Sequence, residues 1–171
     1  RAPQQAPPEG LDWDLWLGTV GQPDPKPLLA TAANESAPAF SPDGRFIAYQ
    51  SDESGALEVY VRPFPQVEAR RELISRSGGT IPRWSRDGTG IFYISEKGLM
   101  RVPVAAARGG ATILSPGQPS LALEMTGLTS FDISPDGRTL AIARVPIEKA
   151  AKEIRVVLDW FEELRRLVPR R

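Results

Sequence analysis

The tetrapeptide Ser-Pro-Asp-Gly occupies residues 41–44 and returns at residues 134–137, and Ser-Arg-Asp-Gly occupies residues 85–88 between them. In such a segment Pro presets φ to about −65°, Asp bonds the local backbone, and Gly accepts a positive φ without steric cost. Each tetrapeptide therefore predicts a tight hairpin turn. Because the three Asp residues recur at one turn position, we assign them to the turn and not to a catalytic carboxylate set.

The residues around each turn repeat as well. A large apolar residue precedes each Ser, a hydroxyl residue lies five positions before it, and strand-forming residues follow six and eight positions after it. These positions hold Phe40, Trp84 and Ile133; Ser36, Thr80 and Thr129; Ile47, Ile91 and Leu140; and Tyr49, Tyr93 and Ile142. The spacings of 44 and 49 residues between the turns match the length of one four-stranded propeller blade.

Short β-rich runs flank and follow each turn, and they predict the strands of each unit. The predicted hairpin strands are 38–40 with 46–49, 82–84 with 91–94, and 131–133 with 140–143. The predicted third strands are 57–61, 99–104 and 154–158, and the predicted outer strands are 71–74 and 112–114. Residues 14–20 and 26–30 predict a third and a fourth strand with no first two strands before them.

The predicted fold class is all-β, a partial β-propeller of about three four-stranded antiparallel blades plus a half blade, with a short C-terminal helix. In the helix, Trp160, Leu164 and Leu167 form a stripe at i, i+4 and i+7 that would pack on the sheets. The predicted organisation is a disordered or loop-like lead-in at 1–11, a half blade at 12–30, blades at 31–76 and 77–125, an incomplete last blade at 126–159, and the helix and tail at 160–171.

The composition excludes several function classes. The chain of 171 residues has neither Cys nor His, so it holds no thiolate nucleophile, no imidazole base and no Cys/His zinc site. Lys and Arg number 21 and Asp and Glu also number 21, so no global field steers the chain toward nucleic acid or an anionic membrane. We therefore predict no catalytic residue, no cofactor or metal, no nucleic-acid partner and no membrane contact within this segment.

The segments that lead into the first strand of each unit are the candidate binding site. In a circular array of blades, equivalent loops line one rim of the central channel and vary in identity on a common frame. The candidate rim residues are Asn34, Glu35, Ser36, Gly79, Thr80, Leu128 and Thr129. The hydroxyl residues have a structural alternative, in which they bond the backbone where the strand begins. Substitution of Glu35 and Thr80 is predicted to weaken ligand binding without unfolding the chain.

The three units resemble the PD40 repeat, a TolB-type, WD40-like β-propeller repeat. More narrowly, residues 35–55, 58–65 and 81–88 resemble the extracytoplasmic propeller sensors of bacterial receptor-like serine/threonine kinases. The ending at 157–169 is similar to the C-terminus of that group, and the resemblance spans about residues 12–169. It implies no particular ligand.

The resemblance implies that the ring is open. Propellers of this family usually have about six or more blades, so the chain corresponds to roughly the last three and a half, and its ending favours a natural C-terminus. An open array exposes a blade face and a strand edge at each end. We expect these to be covered by the missing half of the propeller, by a second copy of the chain, or by the C-terminal helix.

The favoured function is a non-enzymatic protein-interaction or ligand-sensing module, extracytoplasmic in a bacterium, in the periplasm or cell envelope. No kinase activity is implied, because the chain has neither a Gly-rich phosphate loop nor a His-Arg-Asp catalytic loop. One alternative is the gating propeller of a prolyl-oligopeptidase-like hydrolase, whose nucleophile turn and His this chain lacks. Another is a truncated product with no independent activity.

Overall fold

The computed structural model describes residues 13–106 and 114–145. Their strands, in chain order, are β1 (Leu15–Leu17), β2 (Lys26–Leu29), β3 (Glu35–Phe40), β4 (Phe46–Ser51), β5 (Glu58–Pro63), β6 (Glu72–Leu73), β7 (Thr80–Trp84), β8 (Gly90–Ser95), β9 (Gly98–Ala106), β10 (Leu114–Pro116), β11 (Ser120–Glu124), β12 (Leu128–Ile133) and β13 (Leu140–Arg144). The predicted lead-in at 1–11, third strand at 154–158 and helix at 160–171 lie outside the described residues.

Every pairing between neighbouring strands is antiparallel, and the strands form four successive sheets. A leading pair, β1 and β2, precedes the first blade, in which β3, β4, β5 and β6 are hydrogen-bonded in chain order. The second blade contains β7, β8 and β9, with β10 and β11 on the outer edge of β9. The last pair is β12 with β13. The all-β, partial-propeller prediction is confirmed.

The blades are stacked face to face, and the first blade is covered on both of its faces. Every position of β4 and of β5 is buried. Because side chains alternate across a strand, Phe46 and Ala48 pack against the second blade while Ile47 and Tyr49 pack against the leading pair. This double burial explains why apolar residues occupy consecutive positions at 46–49 in β4 and at 59–61 in β5.

The interface between the two complete blades is the largest apolar cluster of the described residues. Trp84 of β7 is only 8% exposed there, and its ring lies 6.3 Å from that of Phe46. Its indole Nε1 donates to the carbonyl oxygen of Ala39 in β3 at 3.0 Å, which joins the inner strands of the two blades. A further cluster around Leu99 and Phe131 joins the second blade to the last pair.

The three predicted turns are present and share one geometry. In each, the Ser Oγ donates to the Asp Oδ1, at 2.7 Å (Ser41 to Asp43), 2.6 Å (Ser85 to Asp87) and 2.5 Å (Ser134 to Asp136). The same Oγ accepts the backbone N–H five residues later, at 3.0, 2.8 and 2.9 Å. The turn glycine has a φ of 70° in all three. The Asp residues therefore hold the turns together, as predicted.

The first strand of each unit begins earlier than predicted. β3 begins at residue 35 and not at 38, β7 at 80 and not at 82, and β12 at 128 and not at 131. Each of these strands has a register irregularity near its start, so pairing continues past the residues that looked like a break. The leading pair is shorter than predicted, since β1 ends at Leu17.

The outer edge of the second blade is divided between two strands. β10 pairs with the C-terminal part of β9, and β11, which was not predicted, pairs with the N-terminal part from Gly98 to Arg101. Of the predicted strand at 112–114, only Leu114 lies within the described residues, and it is the first residue of β10. Gly98 permits the close approach of β11, because a Cβ atom at this position would overlap the carbonyl oxygen of Leu123.

Candidate functional site

A cleft of about 610 Å³ opens between the inner strands of the two complete blades. We call it the β3–β7 cleft. Its lining residues are Pro38, Ala39, Phe40, Pro42, Arg83, Trp84 and Arg86. The cleft lies where β3 and β7 run into the first and second turns, so it is at the opposite end of these strands from the predicted rim.

The floor of the β3–β7 cleft is apolar and partly uncovered. Phe40 is 49% exposed although it is a large hydrophobic residue, and its ring packs edge-on against Phe64 at 4.9 Å. The buried indole of Trp84 and two prolines complete the apolar lining. Aromatic and proline surfaces of this kind can contact an apolar side chain with little loss of rotamer freedom in the protein.

Two guanidinium groups line the same cleft. Arg83 Nη1 donates to the carbonyl oxygen of Pro82 at 2.9 Å, and Arg86 Nε donates to that of Pro135, in the third turn, at 3.2 Å. Neither forms an ion pair with a carboxylate of the described residues. The cleft therefore combines apolar surface with positive charge that no described carboxylate neutralises.

The nearby turn carboxylates are engaged elsewhere. The hydrogen bond from Ser41 holds the pKa of Asp43 at about 2, with further contributions from Arg45, whose Nε lies 2.7 Å from the carboxylate. The hydrogen bond from Ser85 likewise lowers the pKa of Asp87 to about 2. Both groups are ionised acceptors within their own turns, so they supply no general acid or base to the cleft.

The first predicted rim residue, Asn34, lies half-buried in the loop just before β3 and is held there by hydrogen bonds. The side chain of Asn34 donates to Asp52 Oδ2 at 2.7 Å and its Oδ1 accepts the backbone N–H of Trp13 at 3.2 Å. Hydrogen bonds from the backbone and side chain of Asn34 lower the pKa of Asp52. Asn34 thus ties the first blade to the segment before β1.

Glu35 differs most from its predicted role, because it is 1% exposed at the start of β3. Its Oε1 accepts from Thr31 Oγ1 at 2.5 Å, and its Oε2 is buried without a hydrogen-bond partner among the described residues. Burial raises the pKa of this carboxyl above its ordinary value, partly opposed by the bond from Thr31. The Glu35 carboxyl is therefore an interior group and is not presented on an open rim, and the effect of its substitution on binding and folding stays a prediction.

Ser36 takes part in a bridge between the two blades. Its Oγ accepts from Gln50 Nε2 at 2.9 Å, and Gln50 Oε1 accepts the backbone N–H of Ile81 at 2.9 Å. Ala37 and Ile81, at equivalent positions of β3 and β7, both have a φ of 53°, which non-glycine residues rarely adopt. The hydrogen bond from Gln50 helps to hold this backbone shape at Ile81.

The remaining rim residues also make internal contacts. Gly79 is buried, and a Cβ atom there would lie 2.6 Å from the Cβ of Ser75. Leu128 packs into the cluster around Leu99, and Thr129 Oγ1 donates to the carbonyl oxygen of Ala143 at 3.1 Å, the structural alternative for this hydroxyl. Thr80 is partly exposed at the start of β7. The binding role of this rim stays a prediction.

A buried phenol and guanidinium lie between the leading pair and the first blade. Arg62 Nε donates to the Tyr49 hydroxyl oxygen at 2.8 Å, and Arg62 Nη1 donates to the carbonyl oxygen of Val67 at 2.7 Å. Burial raises the pKa of Tyr49 to about 12, against the opposing effect of Arg62. The phenol is therefore neutral at ordinary pH, and the pair fixes the loop before β6.

Neither a metal centre nor a membrane helix is found in the part of the chain that the structure describes. Among residues 13–106 and 114–145, no three Asp or Glu side chains are grouped so that they could hold a metal ion. These residues also form no helix long and apolar enough to cross a membrane.

The sequence prediction missed Arg83 and Arg86, although both carry a signal. The second turn residue is Pro42 in the first unit and Pro135 in the third, but Arg86 in the second. Arg83 lies in β7 at a position that varies among the three units. Arg does not preset the turn conformation as Pro does, so its presence at this position of the repeat favours a role other than forming the turn.

Repeated blades, identical turns and a cleft between inner strands define a partial β-propeller. No family model matches the chain. Over 70 residues, 39% of this chain, it is 33% identical to the Protein TolB homolog of Chlamydia muridarum and 30% identical to that of Chlamydia trachomatis. Each match spans only 16% of the relative.

A solved structure shows a similar likeness. The crystal structure of TolB from Acinetobacter baumannii is 18% identical to this chain, with a TM-score of 0.38, and the match covers 72% of this chain and 41% of that one. The chain therefore spans less than half of that structure and about a sixth of each of the two relatives it matches. Its propeller architecture rests on its own strands and turns.

Proposed function

We propose that the chain is a non-enzymatic β-propeller module that binds a partner protein through the inner-strand face. The β3–β7 cleft carries this proposal, because it joins exposed apolar surface to two guanidinium groups that form no ion pair with a described carboxylate. Aromatic residues and Arg are enriched among residues that dominate protein–protein binding energy. The absence of His and Cys from the sequence supports a role in recognition and not in catalysis.

The proposed location of the chain and its proposed coupling to a kinase are supported by sequence resemblance. An extracytoplasmic location in a bacterial cell envelope is supported by the likeness to TolB homologues. A role as a sensor coupled to a receptor-like serine/threonine kinase is supported by the resemblance of residues 35–55, 58–65, 81–88 and 157–169. Further propeller blades, or a second copy of the chain, are the proposed cover for the leading pair and the last pair.

Site-specific photo-crosslinking tests this function. Benzoylphenylalanine replaces Phe40 in the cleft, and Leu73, an exposed residue of the outer strand β6, is the matched control. In the organism that encodes the chain, irradiation is expected to give one discrete protein adduct at position 40 and none at position 73. Mass spectrometry of the adduct identifies the partner.

The same experiment separates the cleft from the predicted rim. A third variant carries the photo-crosslinker at Thr80, at the other end of β7. An adduct at position 80 with none at position 40 would move the binding surface to the rim. Equal labelling at positions 40 and 73, or no light-dependent adduct at positions 40 and 80, would contradict the proposed function.

A further inference from the structure

We infer that the β3–β7 cleft takes an acidic segment of a partner protein, with carboxylates on Arg83 and Arg86 and an apolar side chain against Phe40 and Trp84. This inference rests on the proposed function and names the chemistry that the site recognises. It commits to a peptide segment, because the cleft offers charged and apolar surface side by side and not a closed pocket for a small ion.

The charge of the cleft favours a carboxylate ligand. A guanidinium group has five N–H donors in a planar fork that matches the two oxygens of a carboxylate. Arg83 and Arg86 each use one donor, on the carbonyl oxygens of Pro82 and Pro135, within the described part of the chain. These bonds orient the groups and leave donors for a ligand.

No lining residue opposes an anionic ligand. None of the seven residues around the cleft is acidic. The carboxylates of the two adjoining turns, Asp43 and Asp87, accept hydrogen bonds from their own turn residues. The positive charge of the cleft is therefore available to a ligand, which a partner carboxylate would pair with more strongly than an amide would.

The apolar lining sets the second requirement on the ligand. Phe40 presents about half of its surface to solvent, and Pro38 and Pro42 flank it along β3 and its turn. A cleft of about 610 Å³ falls within the range of volumes that bind ligands of several residues or a drug-sized molecule. An aromatic or aliphatic side chain next to the carboxylate would cover Phe40 and exclude water from the ion pairs.

A nucleic acid fits these observations less well than an acidic peptide. Proteins that bind nucleic acids follow the phosphate backbone with a stripe of Lys and Arg, whereas this chain has equal numbers of acidic and basic residues. The cleft is lined by two arginines and one exposed aromatic ring. A surface this small matches a contact with a short peptide segment.

The first part of the test compares peptide probes on the full chain by fluorescence polarisation. The main probe is a fluorescein-labelled five-residue peptide with Asp on both sides of a central Phe. Matched probes replace both Asp by Asn, replace both by Lys, or replace the Phe by Ala. The Asp-Phe-Asp probe is expected to bind at least about tenfold more tightly than each matched probe and more weakly as salt rises.

The second part uses variants of the cleft. Arg83→Gln with Arg86→Gln removes both charges, and Arg138→Gln removes an exposed arginine in the third turn that does not line the cleft. The double variant is expected to bind the Asp-Phe-Asp probe at least about tenfold more weakly than wild type does. Arg138→Gln is expected to change the affinity by less than about twofold. Equal thermal unfolding midpoints show that the variants are folded. If the midpoints differ, Arg83→Gln and Arg86→Gln are measured singly, and each is expected to weaken binding of the Asp-Phe-Asp probe more than Arg138→Gln does.

Four outcomes would overturn the inference: equal binding of the Asp and Asn probes, equal binding by wild type and the double variant, binding of benzoate or inorganic phosphate as tight as that of the peptide, and preferential binding of an oligo-deoxythymidylate. Photo-crosslinking at Phe40 keeps the two proposals separate. A discrete adduct at position 40 together with indifference to peptide charge would retain the proposed function and reject the acidic segment.

Discussion

At the scale of single residues, Glu35 stands out because its carboxyl is buried and incompletely hydrogen-bonded. It is nearly inaccessible, and one of its oxygens has no hydrogen-bond partner among the described residues. An unpaired buried polar atom costs roughly 1–3 kcal/mol. Because burial raises the pKa of Glu35, its folded form binds a proton more tightly than the unfolded chain does.

Glu35→Gln is expected to increase the free energy of unfolding at pH 7 by roughly 1 kcal/mol. The raised pKa means that wild-type stability is lost as the pH rises from about 4.5 through the folded pKa. The amide does not ionise, so the variant should not show this loss, and the difference should shrink near pH 4. Urea unfolding at both pH values measures the effect.

Glu58→Gln is the matched control for this prediction. Glu58 is also buried, but its Oε1 accepts the backbone N–H of Gly78 at 3.0 Å and its Oε2 accepts from Ser75. An amide cannot accept at both positions, so this variant is expected to lose about 1–2 kcal/mol. A loss of stability in Glu35→Gln at pH 7 would show that the Glu35 carboxylate is satisfied in solution.

At the scale of elements, the turns are the best predicted part of the molecule. Their form depends on four adjacent residues, so Ser, Asp and Gly at fixed positions were enough to predict all three. The starts of the inner strands were misjudged because register irregularities near 36–39 and 80–83 are not visible as a periodic pattern. β11 was missed because its pairing depends on Gly98 of another strand.

The candidate site was predicted less well than the turns. Equivalent positions in the repeat were recognised, but whether such a position faces solvent depends on how the blades pack. Glu35 and Gly79 are covered by neighbouring segments, whereas Phe40 is left half exposed by the packing of β3 against β7. Those contacts are made between residues far apart in the chain, which pattern analysis of one segment does not reveal.

The turn carboxylates make the free energy of unfolding depend on pH in the acidic range. Hydrogen bonds from the turn Ser residues lower the pKa of Asp43 and Asp87 to about 2 and lower that of Asp136. A lowered carboxyl pKa gives stability that is present above the unfolded value and lost as the pH falls through the folded one. The thermal unfolding midpoint of wild type should therefore decrease as the pH is lowered from about 4 to about 2.

Replacing the three turn Asp residues by Asn removes the groups that take up protons in this pH range. The triple variant Asp43→Asn, Asp87→Asn, Asp136→Asn should have a lower midpoint at pH 7, because an amide accepts a weaker hydrogen bond than a carboxylate. Its midpoint should vary less than that of wild type between pH 4 and pH 2. Asp24→Asn, at an exposed position outside the turns, is the control and should follow wild type. Parallel profiles of wild type and the triple variant would contradict the assignment.

At the scale of the whole molecule, burial is graded along the array. The strands β4 and β5 are buried at every position because the first blade has a neighbour on each face. In the last pair, β13 has no buried position and Val145 just beyond it is 57% exposed. In a stacked array, each unit gains stability from the neighbours that cover it, so the last pair should open more readily than the first blade.

Amide hydrogen exchange measures this gradient directly. Paired amides of residues 47–50 should exchange at least about tenfold more slowly than paired amides of residues 141–143, because the former open only when both blade interfaces are lost. The comparison is made at two protein concentrations with mass determined by light scattering. If a second copy covers the last pair, protection of residues 141–143 should rise with concentration as the mass doubles. Equal protection of both segments at a monomeric mass would contradict the graded array, since an uncovered sheet would then be as stable as one packed on both faces.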